Sequence, residues 1–180
     1  VGFRDRKLLL MPLGEVQGIC PGSEVVATGH SLRVPVGDEL LGRVVNGLGQ
    51  PLDDRGAIAQ HSIAELNLTS PHPLRRERIT KPFAMGVRAI DTFTPLGRGQ
   101  RMGIFAGSGV GKSTLMGMMA SQAEADVNVI ALIGERGREV RDFIERDLDE
   151  AGRKKSVIVV ATPNEPALAR VKGTFLAMTI

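Results

Sequence analysis

The sequence predicts an α/β fold: a parallel sheet with helices on its faces, preceded by part of a small β unit. Three observations carry that reading. Two uninterrupted apolar runs, 129–133 and 157–161, have the length of buried strands. Amphipathic segments of helical period lie between and after them, as in a chain that alternates strand and helix. The first third of the chain, by contrast, is cut into short β-rich pieces by turn formers.

From the start of the chain, 7–11 is apolar and ends at Pro12, and 24–28 and 31–36 are β-rich. Leu32, Val34 and Val36 alternate with Arg33 and Pro35, the period of a half-buried strand. Gly14, Gly18, Pro21-Gly22 and Gly29 supply turns. Residues 1–37 therefore read as part of a small barrel or sandwich, and 38–180 as a second unit. A strand over 40–45 leads into 46–56, a stretch dense in Gly, Asn, Asp and Pro that reads as a connecting loop. Ser70-Pro71-His72-Pro73-Leu74 extends the connection, because its prolines forbid a helix. The basic cluster of Arg75, Arg76, Arg78 and Lys81 reads as solvated surface.

Beyond Met85 the period changes. A short helix is expected over 87–93, a buried strand over 102–106 and a helix from Lys112 to about Ala125, with Leu115, Met118, Met119 and Ala123 on one face. A strand follows at 127–133. The next helix, 138–148, places Val140, Phe143, Ile144 and Leu148 on one side and an Asp142–Arg146 pair on the other, with Gly152 as its stop. A third strand covers 156–161. Thr162-Pro163-Asn164-Glu165 has capping-box spacing with Pro at the first helical position, so a final helix should begin there, its stripe formed by Leu168, Val171, Phe175 and Met178.

The chemistry concentrates at Ala106-Gly107-Ser108-Gly109-Val110-Gly111-Lys112-Ser113-Thr114. A Gly-rich turn between a strand and a helix aims several backbone N–H groups into one concavity at the positive end of the helix dipole. Triphosphate oxygens are its natural occupant. Gly107, Ser108, Gly109, Val110, Gly111, Lys112, Ser113 and Thr114 form the cradle, Lys112 reaches the β- and γ-phosphates, and the Ser113 hydroxyl holds Mg²⁺. Ala106 stands at the first position of the spacing, usually Gly, a small-residue change that leaves the loop intact.

Right-handed crossovers bring the carboxyl ends of parallel strands to one sheet edge. Gly134-Glu135-Arg136-Gly137-Arg138-Glu139 follows the next strand, so Glu135 is expected on the same edge as Lys112, near the γ-phosphate. A carboxylate there can orient an attacking water. Arg136 is placed to steady γ-phosphate charge and Glu139 to bind Mg²⁺ through water, whereas Arg138 reads as a surface ion-pair partner.

Composition narrows the classes. The 180 residues carry a net charge of +3, with signs mixed along the chain, and neither Trp nor Tyr is present, so a base-stacking platform for nucleic acid is poorly supplied. No apolar run approaches the roughly 18 residues that span a bilayer. Cys20 is alone, reads as a small apolar filler, and with no signal-like N-terminus makes a reducing cytoplasm the expected setting. The chain begins at Val1 and ends within an apparent helix, and is expected to be an internal piece of a longer protein.

Several stretches together resemble the catalytic ATPase family of the flagellar type III export apparatus. They are Gly99-Gln100-Arg101-Met102-Gly103-Ile104-Phe105 running into the phosphate loop, Ala131-Leu132-Ile133-Gly134-Glu135-Arg136-Gly137-Arg138-Glu139-Val140, and Val160-Ala161-Thr162-Pro163-Asn164-Glu165-Pro166. Gly86-Val87-Arg88-Ala89-Ile90-Asp91 and Leu41-Gly42-Arg43-Val44-Val45-Asn46-Gly47-Leu48-Gly49 fit as well. The family is similar to the catalytic β subunit of rotary ATP synthases. The resemblance implies a RecA/F1-like P-loop core after an N-terminal β-barrel, a homo-hexamer, MgATP as ligand and Glu135 as the catalytic carboxylate. It further implies a cytoplasmic protein at the inner face of the membrane, touching the export gate, export-apparatus proteins, chaperones and export substrates, with no nucleic acid. Injectisome secretion ATPases are close relatives. A Walker B aspartate and an arginine finger are expected beyond Ile180, so these 180 residues alone are expected to hydrolyse ATP negligibly. A rotary synthase subunit, a nucleic-acid translocase and a regulatory nucleotide sensor are the competing readings. The loop sequence, the scarcity of aromatics and Glu135 argue against them in turn.

Overall fold

The strand Ser156–Ala161 is buried at every residue, and the rest of the chain is arranged around it. The structure is a computed structural model that describes residues 2–14, 16–66, 71–107 and 109–180. In chain order, β1 (Gly2–Arg4) and β2 (Lys7–Leu9) form an antiparallel hairpin. β3 (Arg33–Val36) pairs antiparallel with β5 (Ser62–Glu65), and between them runs β4 (Val44–Asn46). The short pair β6 (Pro82–Phe83) and β7 (Leu96–Gly97) flanks α1 (Arg88–Phe93). Then come α2 (Lys112–Gln122), β8 (Asn128–Ile133), α3 (Gly137–Asp142) running into a π-turn at Phe143–Asp147, α4 (Glu150–Lys154), β9 (Ser156–Ala161) and α5 (Ala167–Thr179).

The central sheet is parallel, in the order β4-β9-β8. Its alternation sorts the apolar side chains onto two faces. Val44, Ile130, Leu132, Ile158 and Val160 meet Ala120 of α2 and Val140, Phe143 and Leu148 from the segment after β8. Val45, Val157 and Val159 meet Leu176 of α5 and Val34, Leu40, Ile58 and Leu66. A helix layer on each side of parallel strands is the α/β architecture the sequence predicts. β9 fulfils it on both faces. β8, the edge strand, does so fully on one only: on the other, α5 reaches it at Ile133 beside Gly173, while Val129 and Ala131 stay exposed.

Several local expectations are corrected. The segment 102–106 is not a buried strand: Met102, Ile104 and Phe105 are exposed and the stretch has no regular structure. A strand exists through its ladder partners, and none of the described strands pairs with it. No strand forms at 24–28, and the strand expected at 40–45 starts only at Val44, after a 3₁₀ turn at Asp38–Leu40. In α2 the buried positions are Gly117 and Ala120, with Met118 outside. Gly152 does not stop the preceding helix but sits inside α4, where Asp149 caps its N–H at 2.7 Å.

The stripe expected on α5 is also inverted. Ala169, Gly173 and Leu176 face the sheet, while Val171, Phe175 and Met178 are exposed and Leu168 is half-buried. Small residues win because α5 lies against bare backbone: a side chain on Gly47 would overlap the Ala169 carbonyl. α5 also starts later than expected, at Ala167. Thr162 and Glu165 make the backbone-to-carboxylate half of a capping box (3.0 Å), but in a turn ahead of the helix. The helical ion pair is Arg141–Glu145 at 2.8 Å, in place of Asp142–Arg146. Cys20 is exposed instead of packed. Ser70 lies outside the described residues, and Pro73–Arg75 after it forms a 3₁₀ turn. Among the described residues, no helix is long and apolar enough to cross a membrane.

Candidate functional site

The phosphate loop passes into α2 at Gly111, whose left-handed backbone (φ 91°) makes the turn. No side chain caps that helix, and its first turn holds no carboxylate, so its leading N–H groups are left for an incoming anion. Side chains placed on Gly107, Gly109 or Gly111 would meet nothing within 4 Å. The loop is therefore an open cradle. Ser108 lies outside the described residues.

The cradle faces a cavity of about 400 Å³. Gly107, Gly109, Gly111, Lys112, Ser113 and Thr114 form one wall, and Glu135, Glu139, Asp142, Arg146 and Asp147 the other. β8 and its following turn carry Glu135 to this edge, where its Oε1 lies 3.2 Å from the Lys112 Nζ. Lys112 and Glu135, predicted to meet at the ends of successive strands, are thus in contact, although the first of those strands, 102–106, does not form. A carboxylate oxygen rests where a γ-phosphate oxygen is expected. Arg136 points elsewhere: it is mostly exposed and donates to Glu139 at 3.0 Å. Glu139 is held below the usual carboxylate range, first by a hydrogen bond shared with Glu135 and then by the Arg136 guanidinium.

Sequence reasoning missed Asp142, Arg146 and Asp147. It placed the first two on a polar outer face, whereas the π-turn swings them toward the loop, and Thr114 Oγ1 donates to Asp147 at 3.4 Å. Nothing in the local composition signals a π-turn. A larger cavity, about 760 Å³, lies against the far end of α2. Its lining is largely apolar, with Met85, Leu96 and Met119, and its Arg98 and Glu124 face each other at 3.6 Å. It offers no convergent donors for an anion, so the smaller cavity is the candidate site.

The residues present fit a magnesium nucleotide. An open N–H cradle, an ammonium already holding an anionic oxygen and a half-buried Ser113 hydroxyl meet the needs of a polyphosphate. Among the described residues, no group of three or more His, Cys, Asp or Glu could hold a metal ion. A divalent cation here would draw most of its ligands from phosphate and water, the habit of Mg²⁺ at such sites.

The nucleotide-binding domain of the ATP synthase alpha/beta family matches residues 86–180, more than half of the chain. The flagellum-specific ATP synthase of Bacillus subtilis is 53% identical over the whole chain, which covers 41% of that relative. The type 3 secretion system ATPase of Xanthomonas euvesicatoria is 49% identical, again over the whole chain and 41% of its own length. Among solved structures, the assembled ATPase EscN with its central stalk EscO, from the type III secretion system of enteropathogenic E. coli, superposes with a TM-score of 0.86. It is 46% identical over 94% of this chain and 42% of that one. The chain thus spans about two fifths of the length of the curated relatives it matches.

Proposed function

The chain belongs to the ATP synthase alpha/beta family, and from that premise we propose that it forms part of a MgATP-hydrolysing motor of the flagellar type III protein export apparatus. One observation carries the catalytic part: Lys112 and Glu135 meet at 3.2 Å across an open glycine cradle. Lys112 and the N–H groups of 107–114 bind the phosphates. Once the γ-phosphate takes over the Lys112 ammonium, the Glu135 carboxylate is released to orient the attacking water and accept its proton. Arg136, now on Glu139, steadies charge on the γ-phosphate after a change of partner. Ser113, and Glu139 through water, would hold Mg²⁺, which when bound neutralises charge on the β- and γ-oxygens.

In this reading residues 1–37 are part of an N-terminal β-barrel and 38–180 part of the RecA-like core. The working protein is a cytoplasmic homo-hexamer at the inner membrane face, engaging the export gate, export-apparatus proteins, chaperones and export substrates. The assembled form of the EscN relative supports an oligomer. Injectisome secretion is the second reading, because secretion ATPases match at nearly the same identity as flagellar ones.

The test is phosphate release and nucleotide binding by the protein that contains this sequence. Glu135→Gln should keep MgATP binding and lose at least a hundredfold in turnover, the scale of removing a group that acts in the transition state. Normal turnover in that variant would remove Glu135 from the catalytic step, whereas a wild-type protein that binds MgATP and releases no phosphate would replace the enzyme by a nucleotide sensor.

A further inference from the structure

The wall of the cavity opposite the phosphate loop comes from one short stretch, and it is built in an unusual way. In a regular α-helix, Asp142 and Asp147 would point about 140° apart. The π-turn at Phe143–Asp147 closes with an i→i+5 bond, Leu148 N to Phe143 O at 2.9 Å, and five-residue spacing puts both on one side. Arg146 lines the cavity between them. The turn is also seated against the loop helix. A side chain on Gly117 of α2 would overlap the Asp147 carbonyl oxygen, so the π-turn rests on bare backbone there, and Thr114 Oγ1 reaches the Asp147 carboxylate at 3.4 Å.

Charge then singles out one residue. The cavity wall holds four carboxylates and two cations. Lys112 is engaged by Glu135, and the nearby Arg136 by Glu139. Among the described residues, Arg146 has no ion-pair partner although two aspartates sit beside it. Its position along the ligand follows from the loop. The Lys112–Glu135 contact marks the γ-phosphate end, and the loop N–H groups cradle the α- and β-phosphates. Thr114 is the loop's last residue, so the turn fixed to it stands at the α-phosphate end.

We propose that Arg146, presented by the π-turn, binds the α-phosphate of the nucleotide and makes this turn the second wall of the site. This rests on the nucleotide reading above. A guanidinium suits the task because its planar fork matches two phosphate oxygens at once, and its always-charged state offsets the carboxylates around it.

The experiment is a fluorescence titration of MgATP and MgADP with the protein that contains this sequence, comparing Arg146→Ala, Arg146→Lys and Lys112→Ala. Arg146→Ala should weaken both nucleotides equally, by about tenfold, as befits one charge-assisted contact to a shared phosphate. Arg146→Lys should recover part of the loss, and the melting temperature without nucleotide should not move, since the side chain is exposed. Unchanged affinities overturn the proposal. So does weakening of MgATP alone, which would place Arg146 at the γ-phosphate, or a matching fall in the nucleotide-free melting temperature, which would make its role structural. If Lys112→Ala binds nucleotide normally, the nucleotide reading itself fails, and it does so independently of Arg146.

Discussion

Two glycine-rich loops in this chain share a composition and differ in what satisfies them. The loop after β4 is closed on itself. Asn46 Oδ1 accepts from the N–H groups of Leu48 and Gln50, both at 2.9 Å, and Asn46 N donates to Gln50 O. Arg43 grips Asp53 with two bonds, at 2.7 and 3.0 Å, and donates to Gly56 O, while Val44 N and Arg55 N also reach the Asp53 carboxylate. The phosphate loop has almost none of this: its glycines border open space and its helix start has no cap. A loop whose donors are internally met holds the fold. A loop whose donors are unmet waits for a ligand.

The contrast predicts opposite phenotypes. The largest effect should come from Asp53→Ala, which strands the buried Arg43 guanidinium; the two side chains are only 10% and 3% exposed. Removing one partner of such a pair costs about 3–5 kcal/mol. Denaturant unfolding should show that loss. A loss below about 1 kcal/mol, typical of a surface pair, would break the distinction. Lys112→Ala should do the reverse: nucleotide affinity falls at least a hundredfold, about 3 kcal/mol, with little change in stability. A melting temperature that drops as far as in Asp53→Ala would show that the phosphate loop also holds the fold.

Acid separates the loops more gently. The Arg43 hydrogen bonds hold Asp53 at about 2, against an ordinary value of 3.8, with the Val44 and Arg55 N–H groups adding to the effect. Because the folded value is the lower one, this stabilisation is fully present above about 4 and fades as pH falls toward 2. It amounts to up to about 2 kcal/mol. Unfolding curves of the wild type and Asp53→Asn should converge over that window. Curves that stay parallel would remove Asp53 from the acid response.

The sequence made legible what depends on local pattern and connection rules. The loop spacing and the run 127–133 place Lys112 and Glu135 near one another, and they meet, although the strand expected before the loop at 102–106 does not form. Side-chain size misled where backbones approach closely. On α5 the large residues form the more conspicuous stripe, yet Gly47 opposite Ala169 and Gly173 selects the small one. The π-turn left no mark in the local pattern either: it rests on the bare backbone of Gly117, a tertiary contact that local spacing does not encode. The expected strand at 102–106 depended on partners no local pattern can supply.

The smallest effect comes from matched glycine substitutions, and it tests the comparison directly. Gly49 and Gly111 both have left-handed backbones, φ 81° and 91°, so alanine at either should cost about 1 kcal/mol in backbone strain. The surroundings differ. At Gly49 the new methyl group would stand 3.0 Å from Pro35 Cδ, so Pro35 must shift and the total cost should exceed strain alone. At Gly111 it would meet nothing, so stability should fall by the strain alone, while the methyl group enters the space reserved for phosphate. Gly111→Ala should therefore weaken MgATP binding and Gly49→Ala should not. Equal stability losses would mean that Pro35 yields freely. Equal losses of affinity would mean that the closed loop, too, shapes the nucleotide site, and the division between a loop that holds and a loop that waits would have to be abandoned.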